Sequence, residues 1–336
     1  MAEPLPAIGT PDRKLVILDT DPGIDDAMAL LCLAMDPKID LHSLTSVFGN
    51  ADVDVVTRNA LFLNELFGLD VPVYRGAAEP IEGERHQFEL HVHGRDGLGD
   101  TGIALGCGRP LSGSGPAWQH IVRTVMEHPG KISLLAIGPL TNLALALRHA
   151  PDVAGLVKEV IVMGGAFGTR GRLGNIRPHA EANFYQDAVA ADEVLGAKWP
   201  VTVVGLDVSA DCILPSATLR ALGETGGTAG TLLDRIARGY EEIYRVHDGI
   251  DGCCIHDVAA AAYLCAPGMF TTIASPLEVA REGSERGRSM PASGGSGRPL
   301  QHYCVTVDTS GVLDLLVRAI RDFDARQPQM QRSHIG

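Results

Sequence analysis

The sequence predicts an α/β fold, an open and mostly parallel sheet with helices on both faces. Three observations carry that expectation. Short runs rich in β-branched residues alternate with helical patterns, polar or glycine residues follow the strand runs, and no linker or fixed-period repeat divides the chain. The alternation begins with Leu15-Val16-Ile17-Leu18 as a strand and Ala27 to Ala34 as a helix, then Leu44 to Val47 and Val53 to Phe67. Val71-Pro72-Val73 reads as the next strand. Ile132 to Ile137 is followed by the helical Leu140 to Leu147, Val160-Ile161-Val162 by Ala188 to Leu195, and Val201 to Val204 extends the series. Ligands of open parallel sheets bind beyond the carboxyl ends of the strands. Asp19 and Asp21, Gly49 and Asn50, Gly138, Gly164 and Gly165, and Asp207 fall there, so this topology gathers them at one edge. Gly76 to Pro110 and Arg281 to Pro299 interrupt the pattern and read as long loops.

The bulk composition narrows the classes of function. With 336 residues, 45% apolar and 21% charged, the chain has ample material for a packed core. A formal net charge of -13 repels polyanions, which argues against nucleic acid or an anionic membrane as partner and favours a small molecule. Seven scattered cysteines without a C-x-x-C pair fit reduced thiols and a cytoplasmic setting. The amino-terminal stretch has no apolar run of the secretory type, and no run of about 18 apolar residues occurs to span a membrane.

The most concentrated chemistry is Asp19-Thr20-Asp21-Pro22-Gly23-Ile24-Asp25-Asp26, between the first strand and the first helix. Capping a helix accounts for one or two of its four carboxylates. The remainder, if buried, need positive charge, and a hard divalent cation such as Ca²⁺ or Mg²⁺ is the natural source. Asn175, Glu181 and Asn183 offer amide and carboxylate groups suited to vicinal hydroxyls, although loop residues of these types are often merely solvated. His256-Asp257 opens an alanine-rich helix and combines a further carboxylate with a possible general acid; an N-cap beside an incidental histidine is the plainer alternative. His86, His91 and His93 precede a glycine-rich turn, a weak zinc pattern without a third fixed ligand. Tyr240 and Tyr244, four apart, lie on one helix face, able to cover a planar group or pack in the core. Nothing marks Cys253 or Cys254 as a nucleophile.

Taken together these residues resemble the inosine-uridine-type nucleoside hydrolase family. DTDPGIDDA from Asp19 matches its signature, followed in order by VFGN ending at Asn50, HGRDGLG from His93, IGPLTNLALAL from Ile137, VIVMGGAF from Val160, AEANFYQD around Glu181 and IHDVAAA from Ile255. The resemblance implies a Rossmann-like nucleoside hydrolase fold over one domain, 14–324, with terminal extensions at 1–13 and 325–336. It implies a Ca²⁺ ion held by Asp21, Asp26, Asp257 and the Ile137 carbonyl, with Asp21 also the general base toward a water on that ion. Asp25, Asn50, Asn175, Glu181 and Asn183 match positions that grip ribose, His256 the residue that protonates the departing base, and His93, Tyr240 and Tyr244 positions near the base. The implied reaction is hydrolysis of a ribonucleoside to free base and ribose, in a homodimer or homotetramer. Alternatives are a pyrimidine-preferring hydrolase and a non-catalytic calcium- and nucleoside-binding protein. A phosphatase of the D-x-D type fits less well, since Asp25 and Asp26 have no role in that scheme.

Two departures from the family pattern stand out. The segment Ala166 to Gly174 is longer than usual, and Ala182 replaces a common aromatic residue. Neither tryptophan, Trp118 or Trp199, falls at a base-stacking position, unlike the tryptophan-stacking purine-specific branch.

Overall fold

The computed structural model describes residues 13–83, 90–111 and 113–333. Its strands in chain order are β1 (Lys14–Thr20), β2 (Ile39–Ser46), β3 (Val73–Tyr74), β4 (Ile132–Ala136), β5 (Glu159–Met163), β6 (Val201–Val204), β7 (Ile213–Pro215), β8 (Gly252–Cys254), β9 (Phe270–Val279), β10 (Ser289–Pro291) and β11 (Leu300–Val307). Nine of them form one sheet in the order β3-β2-β1-β4-β5-β6-β11-β9-β10. All pairs from β3 to β11 are parallel, whereas β9 and β10 extend the edge in antiparallel fashion. β7 and β8 form a separate antiparallel ribbon.

The continuous apolar strand runs follow from this layering, because a parallel sheet is covered on both faces and side chains alternate between them. Val16 and Leu18 of β1 enter one core with Leu135 and Ile161, while Leu15 and Ile17 enter the opposite core with Leu134, Val160 and Val162. The first face is covered chiefly by helices Ile24–Met35, Thr228–His247, His256–Cys265 and the long helix Thr309–Ser333. Helices Ala117–Glu127, Thr141–His149 and Ala188–Gly196 cover the second.

Chain order reverses at β1, whose neighbours β2 and β4 lead away to opposite sides. A crevice opens beyond the strand ends at such a point. Asp19-Thr20-Asp21 leaves β1 into that crevice, Val47 to Asn50 leaves β2 and Ile137-Gly138 leaves β4.

Two regions differ from the sequence expectation. The segment Arg281 to Pro299 contains β10, paired with β9 from Ser289 opposite Val279 to Pro291 opposite Leu277. Helix Thr309–Ser333 runs through the expected boundary at 324. The extension 1–12 and His86 lie outside the described residues.

One helix glycine gives a stability test. Gly239 lies inside Thr228–His247, is exposed, and a Cβ built on it meets nothing within 4 Å. Gly239→Ala therefore raises unfolding free energy by about 0.5–1 kcal/mol through the lower entropy cost of ordering alanine. Denaturant titration measures it; no gain would mean that the helix is frayed there.

Candidate active site

The acidic loop is shaped by two backbone constraints. Pro22 precedes Gly23, and helix Ile24–Met35 starts at once, so Asp25 and Asp26 occupy its first turn, where the helix dipole favours negative charge. Helix His256–Cys265 starts beside it and brings Asp257 to the same point. Asp25 Oδ2 accepts a 3.4 Å hydrogen bond from the Asp257 backbone N–H, joining the two helix starts.

Asp26 is the loop's organiser. Its Oδ1 accepts from Thr20 Oγ1 at 2.6 Å, and its Oδ2 from the Gly23 N–H at 2.9 Å and Asn50 Nδ2 at 3.0 Å. Asn50 Nδ2 also donates to the Asp21 carbonyl at 3.0 Å, and its backbone N–H to Asp21 Oδ2 at 2.7 Å. Asp21 Oδ1, by contrast, is buried without a partner. Glycines hem the Asp21 carboxylate on both sides: a Cβ on Gly49 would stand 1.9 Å from Oδ2, and one on Gly138 would stand 2.5 Å from Oδ1. Asp19 sits behind, its Oδ1 accepting from Thr45 Oγ1 at 2.5 Å and Asn142 Nδ2 at 2.8 Å.

Asp21, Asp25, Asp26 and Asp257 are each at most 4% exposed. Burial, reinforced by neighbouring carboxylates, pushes Asp21 and Asp257 well above the usual carboxylate range and Asp25 to about 7. Burial raises Asp26 as well, against the opposing bonds from Thr20 and Gly23. Oxygens of Asp25, Asp26 and Asp257 lie within 4.8 Å of one another. That spacing, the unpartnered Asp21 Oδ1 and the all-oxygen donor set fit a hard divalent cation, which would balance their charge. The tight trio includes Asp25, which the family resemblance gives to ribose, rather than Asp21.

Above these carboxylates lies a cleft of about 730 Å³, mouth included. Asp25, Asn50, His93, Ile137, Asn175, Glu181, Asn183, Tyr240, Tyr244, His256 and Asp257 line it, which brings together all the expected site residues except Asp21 and Asp26, buried at its floor. On one side, Asn183 Nδ2 donates to the Ile137 carbonyl at 2.9 Å, leaving that oxygen a second lone pair. Glu181 caps the short helix Ala182–Gln186: Oε1 accepts from the Asn183 N–H at 2.9 Å, and Oε2 from Gly165 at 2.9 Å and Phe184 at 3.1 Å. Burial still pushes Glu181 up to about 7. Asn175 Oδ1 accepts from the Ala182 N–H at 3.0 Å.

The other side is a hydrogen-bonded chain. Tyr240 and Tyr244 hydroxyls are 3.3 Å apart, Tyr244 OH is 2.9 Å from His256 Nε2, and His256 Nδ1 is 3.0 Å from Ser209 Oγ. Burial, with the Arg172 charge, lowers His256 to about 4. Burial also takes His93 down to about 3; its Nδ1 accepts from the Ile24 N–H at 3.2 Å and its ring lies 5.2 Å from that of Tyr240. Both ring faces suit a planar group.

Some contributors carried only a weak sequence signal. Asn59, buried in helix Val53–Leu66, donates from Nδ2 to the Pro22 carbonyl at 3.0 Å and the Asp96 carbonyl at 2.8 Å, tying the acidic loop to the His93 turn. A polar residue on a buried helix face was the available clue. Gln186 also lines the cleft. Asp207, expected at this edge, instead holds the long loop by accepting from Phe167 and Thr169 N–H groups at 2.7 Å. Cys253 and Cys254 are buried with their thiols pushed up, which makes them poor nucleophiles. Trp199 is buried with Nε1 bonded to the Val194 carbonyl, Trp118 stacks on His149, and neither lines the cleft.

Comparison with known proteins agrees with this geometry. The family described as inosine-uridine preferring nucleoside hydrolase matches residues 16–314. Uridine nucleosidase 1 of Arabidopsis thaliana is 36% identical over 312 residues, covering 90% of this chain and 91% of its own. Among solved structures, a plant nucleoside hydrolase, the PpNRh1 enzyme, superposes with TM-score 0.84 at 34% identity, covering 91% and 98% of the two chains. A purine-preferring ribonucleoside hydrolase from Gardnerella vaginalis gives 0.87 at 28% identity, covering 93% and 99%.

Proposed function

The chain belongs to the inosine-uridine preferring nucleoside hydrolase family and hydrolyses ribonucleosides, and from that premise we propose which residues do the work and which bases they accept. The observation that carries the reading is the unpartnered, buried Asp21 Oδ1, on a carboxylate bonded to Asn50 of a cleft that the Tyr244–His256 pair also lines. Asp21, Asp26, Asp257 and the Ile137 carbonyl would hold a Ca²⁺ ion, with Asp25 close enough to join them or to face the sugar. When bound, such an ion supplies positive charge that acidifies water and polarises vicinal hydroxyls.

Asp21 acts as general base: its free oxygen takes the proton of the water that attacks C1′ as the C1′–N bond breaks. Asp25 and Asn183 orient the ribose hydroxyls, and Glu181 and Asn175 shape the wall that receives the sugar. Asn50 serves chiefly by fixing Asp21 and Asp26, since its Nδ2 is bonded to both residues. The departing base takes its proton from the Tyr244 hydroxyl, backed by His256, with Ser209 holding the far ring nitrogen. His93 and Tyr240 stack against the base.

The absence of a tryptophan from the cleft supports inosine or a pyrimidine nucleoside as substrate, and the 36% identity to a uridine nucleosidase supports uridine. Seven free cysteines support a reducing, cytoplasmic setting. No helix among the described residues is long and apolar enough to cross a membrane.

Incubation with inosine, uridine, cytidine and adenosine, with products resolved by chromatography, tests the reading. Free base and ribose are expected, uridine and inosine leading; a chelator abolishes turnover and added Ca²⁺ restores it. Turnover that survives exhaustive chelation would remove the metal from the scheme.

A further inference from the structure

We propose that Gln186 determines base specificity by accepting a hydrogen bond from the ring N–H of a lactam or imide base, such as uracil or hypoxanthine. This deepens the nucleoside hydrolase reading and rests on it. Gln186 ends helix Ala182–Gln186, three residues beyond Asn183, so both side chains project from one helix face into the cleft. Its Nε2 donates to the Gly49 carbonyl at 3.4 Å. Its Oε1 is buried and has no partner, and of the buried side-chain atoms in that state it alone belongs to a residue lining the cleft, among the described residues.

Rotating the amide does not relieve the problem. It would set the oxygen against the Gly49 carbonyl oxygen, exchanging a hydrogen bond for repulsion. The backbone is fixed as well, because Arg286 donates to the Tyr185 and Gln186 carbonyls at 3.2 and 3.3 Å. The acceptor therefore stays unpartnered in a residue that lines the cleft. A buried acceptor without a partner is costly, and a ligand donor removes that cost.

Gln186 links the two sides of the cleft: its helix carries Asn183 of the sugar side, while its amide is bonded to Gly49 on the side of His93. Gly49 adjoins Asn50, and a Cβ on Gly23 would stand 2.6 Å from both Asn50 Nδ2 and His93 Nδ1, so Gly49, Asn50 and His93 form one continuous wall. That wall carries the rings suited to a planar base, and Gln186 is bonded into it. The sugar side already has carboxylates in Asp25 and Asp257 as acceptors for hydroxyls. A neutral amide oxygen matches a neutral ring N–H.

The test is steady-state kinetics of wild type and Gln186→Leu on uridine, 3-methyluridine and 5′-deoxyuridine. Leucine keeps roughly the bulk of glutamine, so a steric clash with the N3-methyl group persists in the variant and only the hydrogen bond is lost. Wild type should prefer uridine over 3-methyluridine, and Gln186→Leu should lose about tenfold in kcat/KM on uridine, mainly through KM. The variant should be unchanged on 3-methyluridine and lose on 5′-deoxyuridine as much as on uridine. Equal losses on uridine and 3-methyluridine, a loss that vanishes with 5′-deoxyuridine, or no loss at all would overturn the assignment. Gln186→Met makes the same comparison if the leucine variant does not fold. No turnover of any nucleoside by wild type would instead bring down the hydrolase reading, and this assignment with it.

Discussion

Asp21→Asn is expected to lower kcat by about 10⁴-fold while leaving the fold intact, the upper range for loss of a general base. The amide is nearly isosteric, so its oxygen can keep the 2.7 Å bond from the Asn50 N–H. In the proposed scheme, what disappears is the charge that takes the proton of water and that contributes to holding a cation. Stability supplies an independent signature. Burial already holds Asp21, Asp25 and Asp257 toward their neutral forms in the cation-free protein, so an amide at position 21 removes no favourable charge there and the melting temperature should not fall. The rise in melting temperature on adding Ca²⁺ should shrink, because the variant binds the ion less tightly. Calorimetry with and without Ca²⁺ and kinetics on uridine read both effects. Turnover within tenfold of wild type would exclude Asp21 as the base.

The part of this machinery that was legible in the sequence is the part encoded by local runs. Leu15 to Leu18, Leu134 to Ile137 and Val160 to Val162 are apolar on successive residues because both sheet faces are covered, and that pattern announces a buried parallel strand. The polar residues at and beyond the ends of those runs then mark the crevice, with Asp19 in β1 and Asp21, Asp25 and Asp26 just after it. The edge strands were harder. β9 contains Pro276 and two threonines and has exposed positions, and β10 is a three-residue strand within a glycine- and serine-rich stretch. Pairing across a sheet edge, not local propensity, makes both of them strands.

The same division applies within the site. Asp25, His256 and Asp257 were legible because helix starts fix where their side chains go. Asn50 lines the cleft, and its amide is bonded to Asp21 and Asp26. The amides of Asn59 and Gln186 are bonded to carbonyls at Pro22 and Gly49, 37 and 137 positions away, and no spacing rule connects them. A lone amide becomes informative only when the fold shows which of its atoms remain unpaired.

Gly49→Ala is expected to lower kcat by about 100-fold although it leaves the catalytic carboxylate in the chain. Gly49 does not have a positive φ, so alanine suits its backbone, and the conflict is entirely between side chains. The new Cβ would stand 1.9 Å from Asp21 Oδ2 and 2.9 Å from Pro139 Cδ. The carboxylate would have to retreat by more than 1 Å to reach ordinary contact, and the Gly138 backbone bars the other side, where even a Cβ would be 2.5 Å from Oδ1. Moving Asp21 also breaks its bond from the Asn50 N–H, whose side chain holds Asp26. A displacement of that size at the reacting centre costs about 100-fold in kcat, and overpacking costs about 1–3 kcal/mol of stability. The Gly239→Ala variant is the control, since its added Cβ meets nothing and should leave kcat unchanged. Kinetics and Ca²⁺ titration of the two alanine variants separate the effect of place from the effect of substitution. If Gly49→Ala retained wild-type kcat, the Asp21 carboxylate would not need the position it has here, and its geometry could no longer support its role as base.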